Sequence, residues 1–233
     1  MYDPETFVSV LDRLVGLVET VPDDDAVFDQ LVESVSEVFQ LVGACVLVRR
    51  HSDVLAVAAA SPAVAALVAC QVEFQRGPGC DAFREARVVN TDDIIVTRLR
   101  WPKFADVAVR VGVGAVASLP LFCGGEVIAS VDLYSAVPQT WSRAELDAAR
   151  VLARFASAQL GTLDQLRKMK KVSEQLEHAL ESRIIIEQAK GVLAATDNIE
   201  TEVAYERLRQ HARRHRTSVR EIAQAVVEYR VRI

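Results

Sequence analysis

Arg183, Glu187 and Lys190 recur at i, i+4 and i+7 within LESRIIIEQAKGVLAA, residues 180–195. On a helix that spacing lines two cations and a carboxylate along one stripe. Two cations so placed can bridge a phosphate and a loop base, and the carboxylate can hold both cations or accept a hydrogen bond from a base. The same spacing also occurs on ordinary solvated helices, where such pairs contribute only tenths of a kcal/mol. Gly191 follows directly. Inside a helix glycine costs about 1 kcal/mol against alanine, a cost that close approach of another helix or of a ligand would offset. Arg209 and Arg213 share a face in a second run that also holds Arg207 and Arg214, with Arg216 and Arg220 beyond. Arg209 and Arg213 are the phosphate-contact candidates there, and Tyr205 suits a core aromatic better than a base-stacking one.

These residues need elements to carry them. Ile185, Ile186, Ala189, Val192 and Leu193 share the period of the charged stripe and predict its apolar side. No proline occurs from Ser142 to Ala195, and Ser142-Arg-Ala-Glu145 is a capping box, so one long helix is expected. Along it Leu160, Leu163, Leu166, Met169, Val172, Leu176 and Leu180 form an imperfect heptad stripe. A single exposed helix could not hide that stripe, which predicts pairing with a second copy of the chain. The alternative is packing along the chain's own C-terminal helices. Asn198, able to adopt the left-handed conformation, closes the helix. Val203, Ala204, Leu208 and Ala212 mark a second helix. Ser218-Val-Arg-Glu221, another capping box, opens a third with Ile222, Ala223, Val226, Val227 and Tyr229 as its apolar positions. Three helices in so short a stretch make a minimal bundle that leans on the long helix.

Upstream the pattern differs. Phe7, Val10, Leu11, Leu14, Val15 and Val18 predict a helix closed by Pro22, and Phe28 to Phe39 a second behind Asp23-Asp24-Asp25. GACVLVRR and DVLAVAAA predict a hairpin turning at His51-Ser52, where His51 reads as a solvated turn residue. AVAALVA after Pro62 and DAFREAR predict short helices, VVNTDDI an edge strand, and WPKFADVAVRVG a helix beside Pro102. Gly124-Gly125 is a two-residue hairpin turn inside AVASLPLFCGGEVIASVDLYS. A central, mostly antiparallel sheet with flanking helices accommodates that order.

The 233 residues carry a hydrophobic fraction of 51% and a net charge of −5. Residues 164–233 hold 14 basic and 11 acidic residues, leaving 27 − 14 = 13 and 32 − 11 = 21 in the rest. An acidic body with a basic end fits two units with different partners. No window reaches the roughly 18 apolar residues of a membrane span. MYDPETF lacks the basic and apolar regions of a signal peptide, so a cytoplasmic protein is expected. Cys45, Cys70, Cys80 and Cys123 are scattered without C-x-x-C or paired His, which argues against a metal site and for ordinary packed thiols.

Two resemblances sharpen these expectations. GPGCDAFREARVVNTDDI, WPKF and GEVIASVDLYS…WSRAELDAARVLARFASAQL resemble a GAF domain over about residues 25–160. ALESRIIIEQAKGVLAA with EVAYERLRQHARRHRTSVREIAQAVV is similar to an ANTAR domain, the RNA-binding module of transcription antitermination regulators. Ser182, Arg183, Ile186, Glu187, Gln188, Ala189, Lys190, Gly191 and Leu193 match its first motif; Ala204, Tyr205, Leu208, Arg209 and Ala212 match the second. Ala194 and Ala195 depart from the commoner Met and charged residue, Asn198 from Gly, and Glu200 from a capping Ser.

The expected organisation is a GAF-type sensor with N-terminal helices over residues 1–160, a coiled-coil-like linker helix over 161–179, and a three-helix ANTAR bundle over 180–233. The resemblance implies a dimer that recognises paired stem-loops in a nascent transcript and so prevents a terminator hairpin. Arg183, Glu187, Lys190, Gly191, Arg209 and Arg213 are the expected RNA-binding residues. No catalytic residue, metal or cofactor is expected. A small molecule or a partner protein could act at the GAF domain, but the residues identify neither. A closed, ligandless GAF domain serving as a dimer scaffold is the alternative, since Ala and Val fill most candidate pocket positions. A competing reading is a DNA-binding regulator, since the last two helices follow helix-turn-helix order. Glu221 and Glu228 on SVREIAQAVVEYRVRI argue against it. A sulfoxide reductase would need a reactive thiol with a resolving partner, which this spacing does not show.

Overall fold

Alternation of side chains on the strands places two hydrophobic layers on opposite faces of one sheet. The computed structural model describes residues 2–16, 23–50, 53–59 and 62–233. The first elements are α1 (Pro4–Gly16), α2 (Asp24–Phe39), β1 (Gly43–Arg50), β2 (Asp53–Ala59), α3 (Pro62–Phe74) and α4 (Pro78–Glu85). They are followed by β3 (Val89–Thr91), a 3₁₀ helix (Ile94–Leu99), α5 (Pro102–Arg110), β4 (Ala115–Cys123) and β5 (Glu126–Ser135). α6 (Arg143–Asp197), α7 (Thr201–His215) and α8 (Val219–Tyr229) complete the chain. The five strands lie in the order β2-β1-β5-β4-β3 and every neighbouring pair is antiparallel. Two compact units divide at residue 165, one of residues 1–165 and one of residues 166–233.

In the first unit Ala44, Val46, Ala117, Leu119, Val131 and Leu133 face α1, α2 and the start of α6. Their sequence neighbours Cys45, Leu47, Val116 and Tyr134 face α3, α4 and α5. Asp23 caps α2 by accepting from the Ala26 N–H at 3.0 Å, as an acidic N-terminus should. Ser142 and Glu145 exchange both bonds of the box that opens α6. Glycines 124 and 125, at φ +60° and +86°, form the β4–β5 turn. The expected edge strand is β3, held only to β4. The β1–β2 turn at His51-Ser52, and Val18 and Pro22, lie outside the described residues. Some expectations need correction. Val15 is exposed at the end of α1, α4 begins earlier at Pro78, and the 3₁₀ helix carries no helical period in sequence.

The GPGCD stretch owes its form to long-range partners. The Gly79 N–H donates to Gln71 Oε1 at 2.9 Å, and Gln71 Nε2 donates to Asp132 Oδ2 at 2.7 Å. Tyr134 adds its hydroxyl proton to the same Asp132 oxygen at 2.9 Å. Burial raises the Asp132 pKa, against the opposing hydrogen bonds from Gln71 and Tyr134. Asp81 accepts from Arg84, Arg100 and Trp101 Nε1, which ties α4 to the head of α5. Gly77 sits at φ +152°, and a Cβ there would lie 2.3 Å from Gln71 Oε1. Gly77→Ala is therefore expected to destabilise the first unit by about 3 kcal/mol, lowering its melting midpoint by about 10 °C. Gly125→Ala, whose Cβ would meet nothing within 4 Å, should lower it by less than half as much. Equal shifts in calorimetry would refute the role of the Gln71 contact.

Candidate nucleic-acid interface

The second unit is built on six small or branched residues. Ala189 and Leu193 of α6, Ala204 and Leu208 of α7, and Ala223 and Val226 of α8 form its buried centre. Ile185 and Ile186 pack against it from one side. The apolar half of the LESRIIIEQAKGVLAA stretch is thus the seam predicted for it, except that Val192 is 40% exposed. Asn198 closes α6 at φ 50°. Ser218 and Glu221 form both bonds of the α8 capping box, whereas Glu200 begins α7 without a side-chain cap.

Packing sorts the cations. Arg207 pairs with Asp197 across the α6–α7 turn, and Arg220 pairs with Glu181 at 3.1 Å across 39 residues. Those two guanidinium groups brace the bundle. Lys190 is mostly covered, with 13% of its side chain accessible. Its Nζ donates to both Glu187 oxygens at 3.1 and 3.0 Å and stands 5.7 Å from the Tyr205 ring centroid. Glu187 accordingly holds one cation of its stripe rather than both. Arg183, two helical turns or about 10 Å away along the axis, is exposed. Among the described residues Arg183, Arg213, Arg214 and Arg216 form no ion pair. Arg209 bonds Glu206 at 3.1 Å.

Two features escape the sequence expectations. Tyr205 is 38% exposed rather than a core aromatic, and its ring lies beside the Lys190 ammonium. His211 and His215 stack at 4.4 Å on α7, one turn apart, a pair that H-x-x-x-H spacing could have signalled. Burial lowers the His211 pKa, and the positive field of His215 and Arg214 lowers it further, so this face of α7 is electropositive. A Cβ on Gly191 would meet nothing within 4 Å, so among the described residues no other helix makes the close approach that its small size allows. Exposed guanidinium groups without an ion pair among the described residues, a half-exposed aromatic ring beside an ammonium and a glycine with open space beside it are groups that can hold phosphates and stack a base.

The family model of the GAF domain matches residues 23–160, and that of the ANTAR domain matches residues 174–227. The chain belongs to the GAF family and carries an ANTAR domain. No curated protein matches it. Among solved structures it is similar to a free methionine-R-sulfoxide reductase from Neisseria meningitidis, in complex with its substrate. That likeness has 14% identity, a TM-score of 0.57, and coverage of 71% of this chain and 96% of the other. The GAF domain of a phosphoenolpyruvate-protein phosphotransferase from Coxiella burnetii is also similar, at 13% identity and a TM-score of 0.54, covering 70% and 98%. Identities this low speak for the fold alone.

In the GAF domain burial pushes the Cys45 thiol well up, the Cys70 thiol up, and the Cys80 thiol up to about 12. Those three sulfurs are held as thiols, the opposite of what a cysteine nucleophile needs. Among the described residues no group of three or more His, Cys, Asp or Glu is placed to hold a metal. Among the same residues no helix is long and apolar enough to cross a membrane.

Proposed function

We propose that this GAF–ANTAR protein is a cytoplasmic RNA-binding regulator that binds stem-loops in nascent transcripts and promotes antitermination. Arg183, Lys190, Arg209 and Arg213 contact RNA, Gly191 lets it approach, and Glu187 orients Lys190. The observation that carries this reading is the ANTAR stripe itself, in which Arg183 stands exposed without an acidic partner among the described residues. Tyr205 extends the face with a ring on which a loop base can stack.

The active form is a homodimer paired along α6. Leu166, Met169, Val172, Leu176, Leu180 and Ile184 recur at three- and four-residue steps and are each 50–70% exposed. Among the described residues the buried cluster of α6, α7 and α8 includes none of them, although Ile184 lies beside Arg220, Gln224 and Glu228 of α8. A second copy presenting the same stripe is its complement. The GAF domain biases α6 between competent and incompetent arrangements, because that one helix runs from Arg143 in the GAF unit to Asp197 in the ANTAR unit.

A competition shift assay tests the reading against duplex DNA recognition. The full-length chain on a labelled RNA stem-loop should be displaced by unlabelled stem-loop and not by an equal mass of duplex DNA. Tight duplex binding that RNA hairpins fail to compete would overturn it.

A further inference from the structure

β3 covers only Val116 to Ser118 of β4, which runs on to Cys123 beside β5 alone. Among the described residues the outer edge of β4 from Leu119 onward therefore has no strand partner, and a cavity of about 360 Å³ opens there against α6. Its floor is Leu119 and Ala153, both buried, and its wall is Phe122, 43% exposed. Arg87, Arg150 and Arg154 line it, and no acidic side chain does. Arg150 and Arg154 share one face of α6 at i and i+4. Glu85 engages Arg87 and Asp147 engages Arg150 from outside the cavity, while Arg154 has no ion pair among the described residues.

A cavity of this size is in the range of small-molecule sites, apolar below with a few polar groups to fix orientation. Guanidinium forks match carboxylate or phosphate oxygens two at a time. Pro120 lacks an N–H and interrupts the edge, which disfavours an added strand as the occupant. The inner face of the sheet, beneath α3 and α4, is by contrast filled by Gln71, Asp132 and Tyr134.

We infer that this cavity is an effector site for a small organic anion, with the carboxylate or phosphate held by Arg154, Arg150 and Arg87 and an apolar group against Phe122 and Leu119. The site rests on the sensor half of the proposed function and is independent of the RNA half. It touches α6 directly, so occupancy acts on the helix that continues into the ANTAR unit.

Phenyl phosphate is the probe, titrated calorimetrically into the full-length protein, with benzoate, inorganic phosphate and benzyl alcohol beside it. Phenyl phosphate or benzoate should bind saturably with a Kd of about 1 mM, and the tighter of the two assigns the head group. Arg154→Gln should weaken it about ten-fold. Phe122→Ser should lower affinity for the aromatic anions and leave inorganic phosphate unaffected. Arg183→Ala should change none of these values, which separates failure of this site from failure of the RNA interface. The inference is overturned if neither aromatic anion binds saturably, if inorganic phosphate binds as tightly, or if Arg154→Gln is without effect.

Discussion

Arg183→Ala is expected to weaken binding of an RNA stem-loop about ten- to hundred-fold while leaving the unfolding transition where it was. The guanidinium group is exposed and unpaired among the described residues, so its removal takes no contact from the folded chain. In the complex it would supply one charge-assisted contact, worth about 1.5–3 kcal/mol. The salt dependence of binding should fall by about 0.7 in slope, the signature of one lost phosphate contact on a single strand. Lys190→Ala is a less clean probe, because it also strips the Glu187 carboxylate and the Tyr205 ring of their cation. Gly191→Ala gives an independent reading with opposite signs on two measurements. A methyl group there meets nothing within 4 Å, so helix stability should rise by about 1 kcal/mol. RNA affinity should drop, since the methyl group stands where the ligand approaches. Selection of bound transcripts from cells, with Arg183→Ala as control, carries the test to natural targets. Unchanged enrichment by that variant would remove the proposed site.

Glutamate at both Met169 and Leu176 is expected to turn a dimer into monomers. Each change places a charge where a 65–70% exposed apolar side chain now faces water in the single chain. In a symmetric pair four side chains leave the seam, a loss of about 6 kcal/mol or roughly ten-thousand-fold in the dimer Kd. Lys171→Glu, on the opposite side of the α6 helix by heptad position, should leave the dimer intact. Sedimentation equilibrium reads both. The monomeric variant should bind one stem-loop as well as the parent chain and lose about a hundred-fold on a paired-loop RNA, where avidity is lost. A dimer that survives both glutamates would place the self-association elsewhere.

The elements that sequence alone determined are those whose hydrogen bonds close within a few residues. The Ser142–Glu145 and Ser218–Glu221 boxes, the Asp23 cap, the left-handed Asn198 and the Gly124-Gly125 turn all satisfy backbone groups from nearby side chains or backbone freedom. The length of α6 and the apolar seam of Ala189 and Leu193 follow from period in the same way. The ANTAR motif was legible because its two halves sit at fixed spacing on those local elements.

Tertiary structure decided which side chains are spoken for. The five arginines of α7 and α8 look alike in sequence, yet Asp197 claims Arg207 and Glu181 claims Arg220. Tyr205 is turned outward beside Lys190, and Val192 leaves the seam that its period assigned to it. In the GAF domain, Gln71 meets Asp132 across 61 residues, and Asp81 meets Trp101 across 20. The shortness of β3 opens the edge of β4 to a cavity lined by arginines from two distant segments. Charge and hydrogen-bonding capacity belong to the residue and are written in the sequence. Whether that capacity is already satisfied depends on partners brought together only by folding.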